Sequence, residues 1–241
     1  MTEVSIWTTS VRRSTVALAV LLATSVGAQA QQVIGISVGQ FRVPAEDRGR
    51  DVLRTNSDFL AFDISELNGT TFGGDWMLAF GQYAEAGIGL EFYQNTVSTS
   101  YREWFNAGSE IELDLTLRTV SVPLTARFFP TGRDAGIQPY FGGGLAIHFW
   151  RYTESGELLD FSDFVFTNVP ALLSGEFIDQ GVTFGPLVFG GIRIPVGLVH
   201  LGGELRYRLN TESQLTGPVF ADTTLDIGGM SLLATIQVQI P

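Results

Sequence analysis

The chain has 241 residues, 28 of them glycine, no cysteine, and a formal charge of −11. That length suits one domain or at most two small ones, and the acidic balance disfavours nucleic acid, which needs a basic footprint. Without cysteine there is no disulfide, no thiolate zinc site and no thiol nucleophile.

At the amino terminus Arg12 and Arg13 precede an apolar run, Val16 to Val26, followed by Ala28-Gln29-Ala30. A basic region, an apolar region and a small-x-small site predict a cleaved signal peptide over 1–30. The run is about half the ~20 residues that a spanning helix needs. Removing it leaves a mature chain, 31–241, with twelve arginines against twenty-four acidic residues and no lysine.

From there the dominant period is two. Segment 33–43 sets Ile34, Ile36 and Val38 against Gly35, Ser37 and Gly39. Segment 71–82 sets Phe72, Trp76, Leu78 and Phe80 against Gly73, Asp75 and Met77. The same alternation recurs over 87–97, 117–129, 139–151, 181–194, 198–210 and 227–240. In a strand, parity is a face. Eight strands of about 10–13 residues exceed the usual ~5–6 of a sandwich and match strands tilted across a bilayer.

The links alternate in length. Those at 83–86, 130–136 and 195–198 are short, and those at roughly 44–70, 98–116, 152–180 and 210–226 are long. This predicts an all-β, antiparallel up-and-down transmembrane barrel, with short periplasmic turns and long extracellular loops.

Two orientations are open. With the aliphatic face inward, as in a soluble barrel, the wet outer wall would be largely glycine. With it outward, the other parity packs a narrow lumen holding Asp75, Glu91, Arg127, Arg193, Glu204 and Arg206. A lipid-facing arginine costs about 2–4 kcal/mol at mid-depth, and the outward exceptions, Arg118 and Arg151, sit at strand ends where they reach headgroups. The second orientation is expected. Tyr83, Phe128, Phe129 and Tyr140, and at the other end Tyr101, Trp104, Phe149, Trp150 and Tyr152, are expected as two aromatic girdles.

Pro139-Tyr140-Phe141-Gly142-Gly143-Gly144 and Gly202-Gly203-Glu204-Leu205-Arg206-Tyr207-Arg208 resemble strands of the small outer-membrane β-barrel family, the outer-membrane protein A type. The resemblance covers nearly all of 31–241 and speaks for fold more than function. Members usually end on an aromatic residue read by the insertion machinery, whereas this chain ends Gln239-Ile240-Pro241.

The lumen charges are expected to pair as carboxylate and guanidinium, with Arg208 as a further partner. They read as a packing plug that specifies strand register; the alternative is a gated polar path. His148 and His200 have lumen parity, and with no Gly-x-Ser-x-Gly elbow they read as structural. The link 152–180 carries Glu154, Glu157, Asp160, Asp163, Glu176 and Asp179 among Leu158, Leu159, Phe161, Phe164, Val165, Phe166, Leu172, Leu173 and Phe177. It lacks a calcium-loop spacing, and it could cover the barrel mouth, extend the sheet or bind a partner. Gly142-Gly143-Gly144 is followed by neither helix nor lysine, so it is no phosphate loop.

The expectation is a non-enzymatic protein of a diderm outer membrane, structural or acting at the surface through its long loops, with no cofactor and no metal. Its expected partners are membrane lipids, lipopolysaccharide and the insertion machinery. The alternatives are a narrow channel or carrier for small solutes and a lipid-modifying enzyme.

Overall fold

The computed structural model describes residues 31–44, 51–160, 170–209, 211–217, 220 and 223–240. The expected signal peptide and the expected loop residues Phe161, Asp163, Phe164, Val165 and Phe166 lie outside them. In chain order the elements are β1 (Gln32–Arg42), α1 (Val52–Phe59), a 3-10 turn (Ile64–Leu67), β2 (Gly69–Phe80), β3 (Ala84–Asn106), β4 (Ser109–Phe128), β5 (Gln138–Asp160), β6 (Ala171–Val196), β7 (Val199–Arg208), the short strands β8 (Glu212–Gln214) and β9 (Thr224–Asp226), and β10 (Gly229–Ile240).

Eight of these strands close into a barrel in the order β1-β10-β7-β6-β5-β4-β3-β2, while β8 and β9 pair separately. Every barrel pair is antiparallel, and β1 closes the ring against β10 with Ile36 opposite Ile236. Among the described residues no helix is long and apolar enough to cross a membrane.

The faces settle the orientation. Leu205 and Ile236 are 48% and 46% exposed on the outer wall, whereas Glu204 is 1% exposed inside. Around the ring, Val38, Phe72, Leu90, Leu124, Leu145, Phe184, Val188, Leu201 and Leu232 are also exposed. A continuous apolar belt of this kind is foreign to a water-facing surface and suited to lipid.

The wall is uneven. Two of the links expected as long loops, 98–116 and 152–180, are largely strand. β3 and β4 run on to a two-residue connection, Ala107-Gly108, with φ of 49° and 88°, the left-handed pair that suits the twist of a tight hairpin. β5 pairs with β6 from Gln138–Arg193 up to Asp160–Ala171. Period two persists in these stretches, but its sense reverses. Leu113, Leu115 and Leu117 are buried, while Asp114 and Glu112 face out beside Thr116. Polar residues on the outer face made these segments read as loops.

The other two long links fold into the concave side of this tall wall. In α1, the Asp51 side chain caps the N-terminus by accepting from the backbone N–H of Leu53 and Arg54. So short a helix is marginal alone, and Val52 and Leu53 bury against the wall. Asp51 Oδ2 also accepts from Asp226 N at 2.9 Å, tying α1 to β9. The resulting core holds Phe41, Val52, Leu53, Leu60, Leu67, Tyr93, Leu115, Trp150, Tyr152, Phe220 and Leu225. The barrel is therefore polar inside at belt level and apolar inside above it.

The girdle expectation holds in part. Tyr83, Phe128 and Phe141 face out at the short-turn end, with Phe128 and Phe141 ring centroids 5.5 Å apart. Phe129 and Tyr140 are instead buried in the lumen, and Trp150 and Tyr152 in the apolar cap. Strand parity overrides position along the strand for these four.

Candidate functional site

The interior at belt level is one connected chain of ion pairs, built because alternate residues of five strands and one turn converge in a narrow space. At its lower end Glu85, at the start of β3, accepts from Arg193 Nη2 at 2.8 Å and from Arg133 Nε at 2.9 Å. Arg193 also donates to Gln138 Oε1 at 2.6 Å and Gln237 Oε1 at 3.0 Å. In the middle, Arg127 lies 3.2 Å from Asp75 and 3.6 Å from Glu204, and the Tyr140 hydroxyl donates to Glu204 at 3.0 Å. Higher, Arg206 links Glu204 (2.6 Å) to Glu91 (2.8 Å), and Arg208 pairs with the other oxygen of Glu91.

Four carboxylates thus face five guanidiniums, and aromatic faces take up the imbalance. Arg193 sits 4.2 Å over the Phe129 ring, Arg208 4.6 Å over Phe41, and Arg127 5.4 Å over Tyr140. Such contacts help most where water is excluded. Glycine makes room for these rings: a Cβ on Gly191 would lie 2.6 Å from the end of the Tyr140 ring, and one on Gly142 2.6 Å from the tip of Phe189.

All six residues singled out from the sequence, Asp75, Glu91, Arg127, Arg193, Glu204 and Arg206, lie in this network, and Arg208 joins them. Glu85 and Arg133 were missed because both fall in segments read as turns. Glu85 shares the parity of Gly87, Gly89 and Glu91, so two more residues of alternation would have exposed it.

The network leaves little space. The enclosed gap among Asp75, Pro123, Arg127 and Arg206 is about 10 Å³, room for roughly one water. Above Arg208, Phe41 and Tyr93 meet edge to face at 4.8 Å, and the Tyr93 hydroxyl donates to the Leu67 carbonyl. The apolar core of α1, β9 and the upper wall lies above them.

His148 Nδ1 lies 2.7 Å from Ser121 Oγ, and both are 1% exposed. Its Nε2 has no hydrogen-bond partner among the described residues. A serine–histidine pair without an orienting carboxylate on the second nitrogen, closed off from bulk water and lipid, lacks the geometry of an activated nucleophile. His200 is likewise buried in the lumen.

Within the cap, Glu154 accepts from Asn56 Nδ2 and from the Tyr152 hydroxyl at 3.0 Å. Burial pushes its carboxyl above the usual carboxylate range, and these two hydrogen bonds offset only part of that. Asp51 is raised for the same first reason, burial, against the backbone donors of Asp226, Leu53 and Arg54. Asp179, placed by the sequence in the long acidic link 152–180, is a buried strand residue and accepts from Thr216 N and Gly217 N at 2.6 and 2.9 Å.

On the outer wall the belt ends in a polar row. Gln94 stands opposite Arg118, Arg118 opposite Arg151, and Arg151 opposite Gln180. Gln40 and Thr70 continue it on β1 and β2, hydrogen-bonded at 3.3 Å.

No protein-family model and no curated protein matches this chain. Solved structures do. The outer membrane protein OprG from Pseudomonas aeruginosa is similar at 11% identity and TM-score 0.51, over 88% of this chain and 96% of that one. Neisserial surface protein A is similar at 10% identity and TM-score 0.46, over 86% and 96%. The attachment invasion locus protein Ail of Yersinia pestis follows at 14% identity and TM-score 0.40, over 86% and 98%. At such identities the likeness is one of fold: the chain has the fold of the small eight-stranded outer-membrane barrels, as its sequence pattern led us to expect.

Proposed function

We propose that this chain is a non-enzymatic outer-membrane protein, exported by a cleaved leader over 1–30, that works through the sheet it raises above the membrane. The observation that carries this reading is the double closure of the barrel, by ion pairs at belt level and by an apolar core above. A pore needs neither, and a cap this well packed withholds the lumen from solutes.

What the chain offers instead is wall. From Arg151 to Asp160, β5 adds about 30 Å of strand at roughly 3.3 Å per residue. The outer face of this wall is acidic and hydroxylated, with Ser98 donating to Asp114 at 2.6 Å and Ser100 to Glu110 at 3.0 Å. Large apolar side chains stand exposed towards its rim, Phe59, Phe105, Leu172 and Leu173. Exposed apolar groups rimmed by polar ones suit contact with another surface, and loops and tips on a rigid scaffold commonly carry function.

The test uses cells that display the chain. Shortening the β3–β4 hairpin by replacing residues 102–110 with a two-residue turn leaves a folded barrel, judged by different gel mobility before and after heating. Attachment of these cells to one another and to immobilised matrix should fall with the hairpin. Undiminished attachment together with stepwise conductance from the purified protein in planar bilayers would overturn the reading in favour of a channel.

A further inference from the structure

We infer that the outer wall carries a binding site for one lipid of the outer leaflet whose head is an anionic phosphomonoester, with the phosphate held by Arg118 and Arg151 and an acyl chain lying in the apolar groove over β1–β3. The two arginines face out from adjacent strands in direct register, at the row where the apolar belt stops. No carboxylate stands in that row on the neighbouring strands: Arg118 and Arg151 are flanked by Gln94 and Gln180, which add donors. A guanidinium presents a planar fork that matches phosphate oxygens, and two side by side can hold one phosphate from both flanks.

The arrangement has a second half. The Arg118 guanidinium lies 5.5 Å over the ring of Phe92, at the upper edge of the belt and leaning towards β3. Phe92 also borders an apolar groove over β1–β3, lined by Ile34, Phe72, Trp76, Ile88 and Leu90 and floored by glycine. Its depth comes from Gly74, which faces lipid with Ile36 on one side and Leu90 on the other. A Cβ at Gly74 would meet only the Gly35 carbonyl within 4 Å, at 3.3 Å, so the space outside it is open. A cationic pair at the headgroup level, joined through Phe92 to an apolar groove in the hydrocarbon, is complementary to a lipid and not to a free anion.

Native mass spectrometry of the full-length mature protein from detergent micelles tests this. The micelles contain phosphatidic acid and phosphatidylcholine of matched chains, with inorganic phosphate alone as a separate arm. The protein should retain one phosphatidic acid with a preference of about thirtyfold over phosphatidylcholine, about fivefold for each of two cationic side chains near a lipid surface. In Arg118→Gln/Arg151→Gln that preference should fall close to unity, while heat-modifiable gel mobility stays normal. Gly74→Leu should instead lower retention of both lipids by filling the groove. Equal retention of the two lipids by the unmodified protein, or an unchanged preference in the double variant, would overturn the site. Saturable binding of inorganic phosphate without lipid would reassign it to a free anion and overturn the lipid. Loss of cell attachment has no bearing on any of these outcomes, so the two proposals fail separately.

Discussion

Glu85 receives two guanidiniums, Arg193 and Arg133, at hydrogen-bonding distance, with Arg127 at 3.9 Å. Breaking a buried ion pair from one side leaves the other charge uncompensated, at a cost of about 3–5 kcal/mol. Glu85→Gln should therefore lower the temperature at which the barrel loses its unheated gel mobility, and Glu85→Gln/Arg193→Gln should recover part of the loss. The network was legible in sequence wherever the charge lay well inside a strand, because parity alone placed Asp75, Glu91, Arg127, Arg193, Glu204 and Arg206 on one face. Glu85 and Arg133 were illegible for a physical reason. Glu85 sits where the alternation of β3 starts, and a two-residue period is hardest to read at its own edge; Arg133 lies in the turn between β4 and β5, where there is no period to read.

At the scale of the element, the strands β3 to β6 each carry two polarities. Leu145 of β5 faces outward in the belt, and Tyr152 of the same strand faces inward in the cap. The sequence showed the belt half, whose aliphatic side is long and unbroken. It concealed the cap half, where alternation continued with serine, threonine and carboxylates outward and so took on the composition of a loop. The belt is testable one position at a time. Leu124→Arg should destabilise by about 2–4 kcal/mol, as expected near the bilayer midplane, whereas Thr116→Arg, above the polar row, should change stability by under about 1 kcal/mol. Denaturant titration in lipid vesicles measures both.

The cap answers to pH through Glu154. Its folded-state pKa is raised above the ordinary 4.5 of a glutamate, first by burial. The folded cap therefore holds that proton more tightly than the unfolded chain does. Its stabilising effect is complete below pH 4.5 and is lost as pH rises through the raised value. Hydrogen-exchange protection of α1, corrected for intrinsic rate, should accordingly decline as pH rises above 4.5. Glu154→Gln, which keeps an acceptor for Asn56 and Tyr152, should lessen that decline and protect α1 better at neutral pH, leaving the part that comes from the buried N-cap Asp51, whose pKa is raised as well. The hairpin tip offers a smaller effect: Ala107 is a non-glycine residue at φ 49°, and Ala107→Gly should stabilise the tip by about 0.5–1 kcal/mol, because relief of left-handed strain exceeds the freedom that glycine adds to the unfolded chain, read from exchange at Asn106 and Ser109.

For the whole molecule, ion pairs and apolar cap act in series, so opening one leaves the other shut. Planar-bilayer recordings of the purified chain should show no conductance steps, and Glu85→Gln should not create them, because the cap above is untouched. Strand count, antiparallel order and inverted polarity followed from alternation and link length alone. How high the wall rises did not, since it depends on which partner each strand finds beyond the bilayer, and pairing of that kind leaves no mark on a single strand's composition.

The reversal of faces at the Gln94-Arg118-Arg151-Gln180 row fixes a waterline. Sinking the barrel by one residue pair would drag two guanidiniums into hydrocarbon, and raising it would lift the Val120 and Phe149 tier into water. Either displacement is opposed from the first few ångströms. In a membrane too thin or too thick, the surrounding lipid must stretch or compress to meet the row, and the protein holds its level.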